Sequence, residues 1–238
     1  MAEACHRCGR DSSAVRLVCV TKGVPAERVQ VVIELGEREL GESRVQESRA
    51  KQIALGSRLE AQGSDPQPSA SNLQPIRWHL IGHLQRNKVR EAVGRFDMIH
   101  SVDSPALIDE LERRAGESSK RITEALIQVN VSGESTKHGC RPNEALGLAE
   151  SVRRCAHLTL SGFMTIAPFS EKPEQTRPYF RALRKLRDRS AESLNLESAT
   201  LNLSMGMSND FEVAIEEGAT LVRIGTAIFG AREMRQET

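Results

Sequence analysis

Short apolar runs alternate along this chain with longer stretches in which apolar residues recur every three or four positions. The short runs fall at 16–21, 38–41, 77–81, 98–101, 125–131, 158–162, 199–203 and 221–225, and each has the length of a buried strand. The stretches at 26–35, 45–55, 84–93, 104–115, 143–155, 178–194 and 209–217 carry the spacing of helices with one apolar face. Ser104-Pro105 offers an N-cap followed by proline at the first helical position, and Asn143 and Asn209 can also cap. Gly36 and Gly218 sit where C-caps belong. Strands alternating with helices predict parallel βα units. The count of eight, with no GxGxxG loop after the first strand, favours a closed (β/α)8 barrel over an open doubly wound sheet.

The expected organisation is therefore α/β, a single TIM barrel over 15–235 behind a disordered N-terminal tail over 1–14. A flexible loop insertion is expected over 57–76, where QGSDPQPSASNLQP (62–75) is rich in Ser, Pro, Gln and Gly. In a barrel it is an αβ connection, on the face opposite the chemistry.

Composition narrows the function classes. The chain has 238 residues, 39% of them hydrophobic, which suits one barrel of roughly 250 residues. Its 33 basic and 32 acidic residues leave a net charge of +1, so no global field draws nucleic acid or an anionic membrane. No apolar stretch reaches the roughly 20 residues of a membrane span. The first ten residues contain no apolar signal core, and a cytoplasmic monomer is expected. Five cysteines, an odd number, argue against a disulfide framework. Cys5-His6-Arg7-Cys8 has CxxC spacing, but no second ligand pair follows, so free thiols on a mobile tail are expected.

Candidate chemistry gathers at strand C-termini, the active face of such barrels. Lys22 directly follows the first strand, where desolvation would free its amine to form a Schiff base; a surface lysine is the bland alternative. The loops after strands 7 and 8, SMGMSND (204–210) and RIGTAIFG (223–230), have the glycines and hydroxyls of a phosphate site. Ser204, Ser208 and Thr226 offer hydroxyls, with the Gly225 and Thr226 amides beside them; ordinary polar loops are the alternative. Arg223 interrupts the apolar run of strand 8, so it must meet an acidic partner or a ligand. His79 ends strand 3 and either lines a pocket or is a satisfied structural histidine. His79 and His83 are four apart like a metal pair, but a strand-to-helix turn between them breaks helical geometry and no Glu follows His79 as in HExxH, so no metal site is expected. Met164 and Thr165 end strand 6 on the same face.

These segments together resemble the pyridoxal 5′-phosphate (PLP) homeostasis family of PLP-binding proteins. The resemblance rests on VTK (20–22), GESRVQE (41–47), WHLIGHLQRNK (78–88), SVDS (101–104), VNVSGE (129–134), KHG (137–139) and GFMT (162–165). It continues through LSMGMSND (203–210) and RIGTAIFG (223–230), in order over about 17–232. It implies a barrel similar to the alanine racemase N-terminal domain, with PLP as cofactor and Lys22 as its Schiff-base lysine. Ser204, Gly225 and Thr226 fall on phosphate-binding positions, and Arg223 on the arginine facing the pyridine nitrogen. Ser43, His79, Met164, Met207 and Ser208 complete the implied cofactor-binding set. The implied role is cofactor buffering or delivery in vitamin B6 homeostasis, without a defined reaction, with PLP-dependent apo-enzymes as candidate acceptors. The alternatives are a PLP-dependent amino-acid racemase or lyase, or a barrel enzyme acting on a phosphorylated metabolite. The chain departs from the family at Ser43 (usually Asn), at Arg44 (commonly Tyr) and at Gly23-Val24, where a second lysine is lost. The helix that normally precedes strand 1 is largely missing.

Overall fold

The protein is described by a computed structural model, which covers residues 1–62, 75–118 and 123–230. Eight strands close a barrel in sequence order. They are β1 (Arg16–Val20), β2 (Glu39–Glu42), β3 (Arg77–Leu80), β4 (Met98–Val102), β5 (Thr123–Gln128), β6 (Leu158–Met164), β7 (Asn202–Ser204) and β8 (Leu221–Ile224). Every neighbouring pair is parallel, and β1 closes on β8 through Val18 opposite Arg223 and Cys19 opposite Ile224. The helices in chain order are α1 (Ala2–Arg7), α2 (Ala26–Glu34), α3 (Val45–Gln62), α4 (Val89–Ala92), α5 (Pro105–Gly116), α6 (Ala145–Arg153), α7 (Arg177–Ser193), α8 (Phe211–Glu216) and α9 (Thr226–Phe229).

The two faces of each strand have different fates. Outward residues such as Leu40, Leu80, Ile99, Ile127, Phe163 and Leu203 join helix residues such as Val29, Leu107, Leu148 and Leu183 in the main core. Inward residues Val18, Met98, Leu126, Met164 and Leu221 fill the lumen, with Ile81 packed against them. Burial on both faces explains why β4 has five buried residues in succession. The N-terminal end of the lumen is polar: Glu39 pairs with Arg16 at 3.2 Å and Arg77 at 3.3 Å. Arg77 also reaches Glu124, whose other oxygen accepts from Ser161 Oγ at 2.9 Å.

The expected tail is structured. Ala4 and Cys5 of α1 are buried in the main core, and Asp11 caps a short 3₁₀ turn at Ser12–Ala14. Arg7 pairs with Glu212 and Glu216 of α8, and Arg10 donates to the Ile215 carbonyl at 2.6 Å. A helix of six residues has too few positions to reveal an apolar period, and tertiary packing holds it. Residues 57–62, expected to be loop, belong instead to α3, which continues through Gln62. The rest of that expectation, over 63–74, and the end of the expected barrel, over 231–235, lie outside the described residues. Among the described residues no helix is long and apolar enough to cross a membrane.

Candidate functional site

Lys22 sits half-buried in the turn that leaves β1. Val24 N–H donates to the Thr21 carbonyl at 2.9 Å, and Gly23 takes a positive φ of 70° to close that turn. The β1–β8 register puts this turn beside Gly225 and Thr226, which leave β8. A Cβ on Gly225 would stand 3.1 Å from the Val20 carbonyl oxygen, so a glycine lets the two strand ends approach. The first-strand lysine and the last-strand glycine turn are thus neighbours.

The loop after β7 completes a cradle with that turn. Gly206 has φ 91°, and a Cβ there would lie 2.5 Å from the Ala214 methyl. Asp210 accepts the Met207 N–H at 2.7 Å and fixes the loop. Burial raises the Asp210 carboxyl above its ordinary range, against the pull of that N–H and of Arg223. Ser208 is half-buried, and its Oγ accepts the Ala227 N–H at 3.3 Å. Thr226 and Met207 are exposed at the rim. Ser208, Gly225 and Thr226 can therefore present hydroxyl and amide donors to an anion.

Arg223 lies under this mouth, buried. It donates to Ser204 Oγ at 2.5 Å and to the Thr165 carbonyl at 2.9 Å. Burial lowers it to about 10, with Asp210 opposing, so it remains a cation at neutral pH. The sequence alternatives for this residue were an acidic partner or a ligand. The structure gives it neutral acceptors, with Asp210 contributing a longer-range attraction.

A chain of hydrogen bonds descends from Arg223 through the lumen. Ser204 Oγ is 2.9 Å from His100 Nδ1, and His100 Nε2 is 2.9 Å from His79 Nδ1. His79 Nε2 bonds Glu39 Oε2 in the polar ring below. Arginine only donates and a carboxylate only accepts, so the ends fix the direction. The arrangement that leaves no member idle has Ser204 O–H donating to His100 Nδ1, His100 Nε2–H to His79, and His79 Nε2–H to Glu39. Burial, with the neighbouring His79 ring and the charges of Arg223 and Arg16, holds His100 well below its ordinary range and hence neutral. Burial alone would raise Glu39, but His79, Arg77 and Arg16 bring it down to about 2.

This chain reassigns two candidates. His79 is a buried, satisfied member of the lumen and not a wall of the mouth. Ser204 spends its hydroxyl on Arg223 and His100, which leaves the cradle to Ser208 and Thr226. Met164 is buried in the lumen below the mouth. Ser43 stays at the mouth, half-buried; a Cβ on Gly82 would stand 2.2 Å from the Ser43 carbonyl oxygen, so the loops after β2 and β3 touch.

A further cluster beside Lys22 escaped the sequence reading. Buried Glu42 pairs with Lys51 of α3 and accepts from Thr21 Oγ1 at 2.7 Å. Lys51 also donates to the Thr21 carbonyl at 2.6 Å. Glu42 Oε2 is buried without a hydrogen-bond partner among the described residues. The signal was the charge ending β2, visible only once β2 is known to lie next to β1.

An amine, an anion cradle and a donor-only cation on adjacent strand ends fit a small ligand that carries an aldehyde, a phosphate and a hydrogen-bond acceptor. Comparisons with known proteins show the family to which this chain belongs. The family model described as "Alanine racemase, N-terminal domain" matches residues 6–233. The pyridoxal phosphate homeostasis protein of Aquifex aeolicus is 42% identical over 231 residues, 97% of this chain and 93% of that protein. The human protein of the same name is 38% identical over 240 residues, 97% and 82% of the two chains. The structure of PipY of Synechococcus elongatus with PLP bound superposes with a TM-score of 0.76 at 33% identity, covering 96% of this chain and 99% of PipY. The class is thus the alanine racemase N-terminal-domain barrel. Within it, this chain belongs to the pyridoxal phosphate homeostasis protein family.

Proposed function

We propose that this protein binds PLP at the mouth formed by β1, β7 and β8, and that it stores and hands on the cofactor instead of turning over a substrate. The observation that carries the reading is the adjacency of the Lys22 turn to the Gly225–Thr226 turn, with Arg223 directly below. Lys22 would anchor the aldehyde, while Ser208, Gly225 and Thr226 would hold the phosphate, and Ser43 and Met207 would flank the ring. Bound PLP supplies an aldehyde that condenses with amines and a ring that can withdraw electrons. Arg223 would offer the pyridine nitrogen a donor and no acceptor, which keeps that nitrogen unprotonated and the ring a weak electron sink.

The placement of Tyr179 supports the non-catalytic reading. It is the chain's one tyrosine, and it lies at the start of α7, partly buried against the main core. Two-base proton transfer would need an acid–base partner opposite the lysine. The five free cysteines suit a reducing compartment, and this reading assigns the protein to the cytoplasm, acting as a monomer.

The test is absorption of the purified protein with PLP, then borohydride reduction and peptide mapping. A pyridoxyl label on Lys22, lost in Lys22→Ala, is expected. A label on another lysine, or none, would overturn the site. Transfer to an apo-enzyme at a rate that saturates with acceptor would favour delivery over passive buffering.

A further inference from the structure

His83, Asp103 and His138 come from the segments that follow β3, β4 and β5, three neighbouring strands, and meet at the barrel mouth. One ligand-capable atom from each lies within 4.8 Å of the others. The two imidazoles stack with centroids 4.0 Å apart and planes 9° from parallel. His83 Nδ1 stands 3.8 Å from Asp103 Oδ2, beyond hydrogen-bond reach. A plain histidine–aspartate ion pair would close that gap and would not need a second imidazole over the first.

The surrounding backbone holds these residues in place. Gln128 Nε2 donates to the His138 carbonyl at 3.1 Å, Cys140 N–H donates to the Gln128 carbonyl at the end of β5, and Asn130 N–H donates to the Cys140 carbonyl, both at 2.9 Å. Gly139 has φ 119°, and a Cβ there would lie 2.8 Å from Asn130 N, so the loop turns tightly beside His138. His83 follows Gly82, where only glycine clears the Ser43 carbonyl. Asp103 lies between the end of β4 and the N-cap of α5.

The geometry points to a divalent transition-metal site of two imidazoles and one carboxylate. Calcium and magnesium prefer all-oxygen shells, whereas two nitrogens and one oxygen suit zinc and cobalt. Ligand atoms around such an ion sit about 3.4 Å apart, given metal–ligand bonds of about 2.1 Å. Small rotations of two partly exposed rings achieve this contraction. Three protein ligands leave a position open, toward the mouth, for water or for an anionic group of a bound small molecule.

The site does not depend on the PLP reading. The probe is Co²⁺ alone, titrated into chelator-treated full-length protein and followed by visible absorption. A band absent from aqueous Co²⁺, saturating at one equivalent and displaced by Zn²⁺, is expected. His83→Ala, Asp103→Asn and His138→Ala should each weaken binding at least about tenfold, the scale found when a metal's surroundings are disturbed. Lys22→Ala and Cys8→Ser should leave the titration unchanged. No saturable band, a band indifferent to all three ligand changes, or a thiolate band lost in Cys8→Ser would each overturn the assignment.

Discussion

Arg223 and Glu39 stand at opposite ends of one buried hydrogen-bond chain, joined through Ser204, His100 and His79. The chain links the cation under the mouth to the ion pairs that close the far end of the lumen. Ser204 is its weakest-protected link, because its single hydroxyl serves two buried neighbours. Ser204→Ala leaves a guanidinium donor and His100 Nδ1 without that partner, and one unsatisfied buried group costs about 1–3 kcal/mol. With two groups affected, equilibrium urea unfolding should show a loss of at least that size. Ser208→Ala, at the half-buried cradle, should stay within about 0.5 kcal/mol. Equal losses for the two would contradict the division of labour between these serines.

The same chain makes stability depend on pH. His100 is held neutral in the folded protein, whereas in the unfolded chain it takes a proton below its ordinary value near 6.5. The unfolded state then binds more protons, so stability is full above about pH 6.5 and falls as pH drops. The slope from one such group is about 1.4 kcal/mol per pH unit. Glu39, brought down from 4.5 to about 2, adds a second loss between those values. His100→Gln should flatten the slope between pH 6.5 and 5.5 relative to the unaltered protein. An unchanged slope would mean that His100 titrates in the folded state as it does in the unfolded chain.

How far the sequence revealed this molecule depended on the range of the interaction. The barrel was legible because each βα unit writes its own pattern: the apolar run before Lys22 and the spaced apolar residues of 104–115 need no distant partner to be read. Lys22 and the turns after β7 and β8 were legible for a related reason, since glycine and hydroxyl residues at a strand end announce a backbone requirement. The lumen chain was not legible. Glu39, His79, His100 and Ser204 lie on four strands, and each looks like an isolated polar residue until the barrel closes. His79 was therefore assigned to the mouth, although strand alternation points it inward along with Arg77 and Ile81. The same limit hid α1, whose six residues are helical because α8 lies beside them.

That dependence of α1 on α8 can be measured. Removing residues 1–10 exposes apolar surface covered by Ala4 and Cys5, and it takes the Arg10 guanidinium from the Ile215 carbonyl near the end of α8. The combined loss should be about 2–4 kcal/mol, from the buried side chains and one charge-assisted hydrogen bond. The truncated chain should keep its barrel, since neither strand pairing nor the lumen involves α1. Urea unfolding with far-ultraviolet circular dichroism checks both parts. An unchanged midpoint would make α1 an ornament on the fold.

The phosphate cradle makes a prediction that separates it from every other contact at the mouth. Pyridoxal has the ring and aldehyde of PLP but lacks the phosphate. If Ser208 and Thr226 bind the phosphate, their loss is felt only by the ligand that carries it. One hydrogen bond to a charged group contributes about 1.5–3 kcal/mol, so Ser208→Ala or Thr226→Ala should weaken PLP binding roughly 10- to 150-fold. The same changes should leave pyridoxal binding within about twofold, a difference smaller than 0.5 kcal/mol. Titration of both ligands, followed by absorbance, reads the contrast directly. Equal weakening of the two would place these hydroxyls against the ring or the aldehyde, and the anion would have to be sought elsewhere on the mouth.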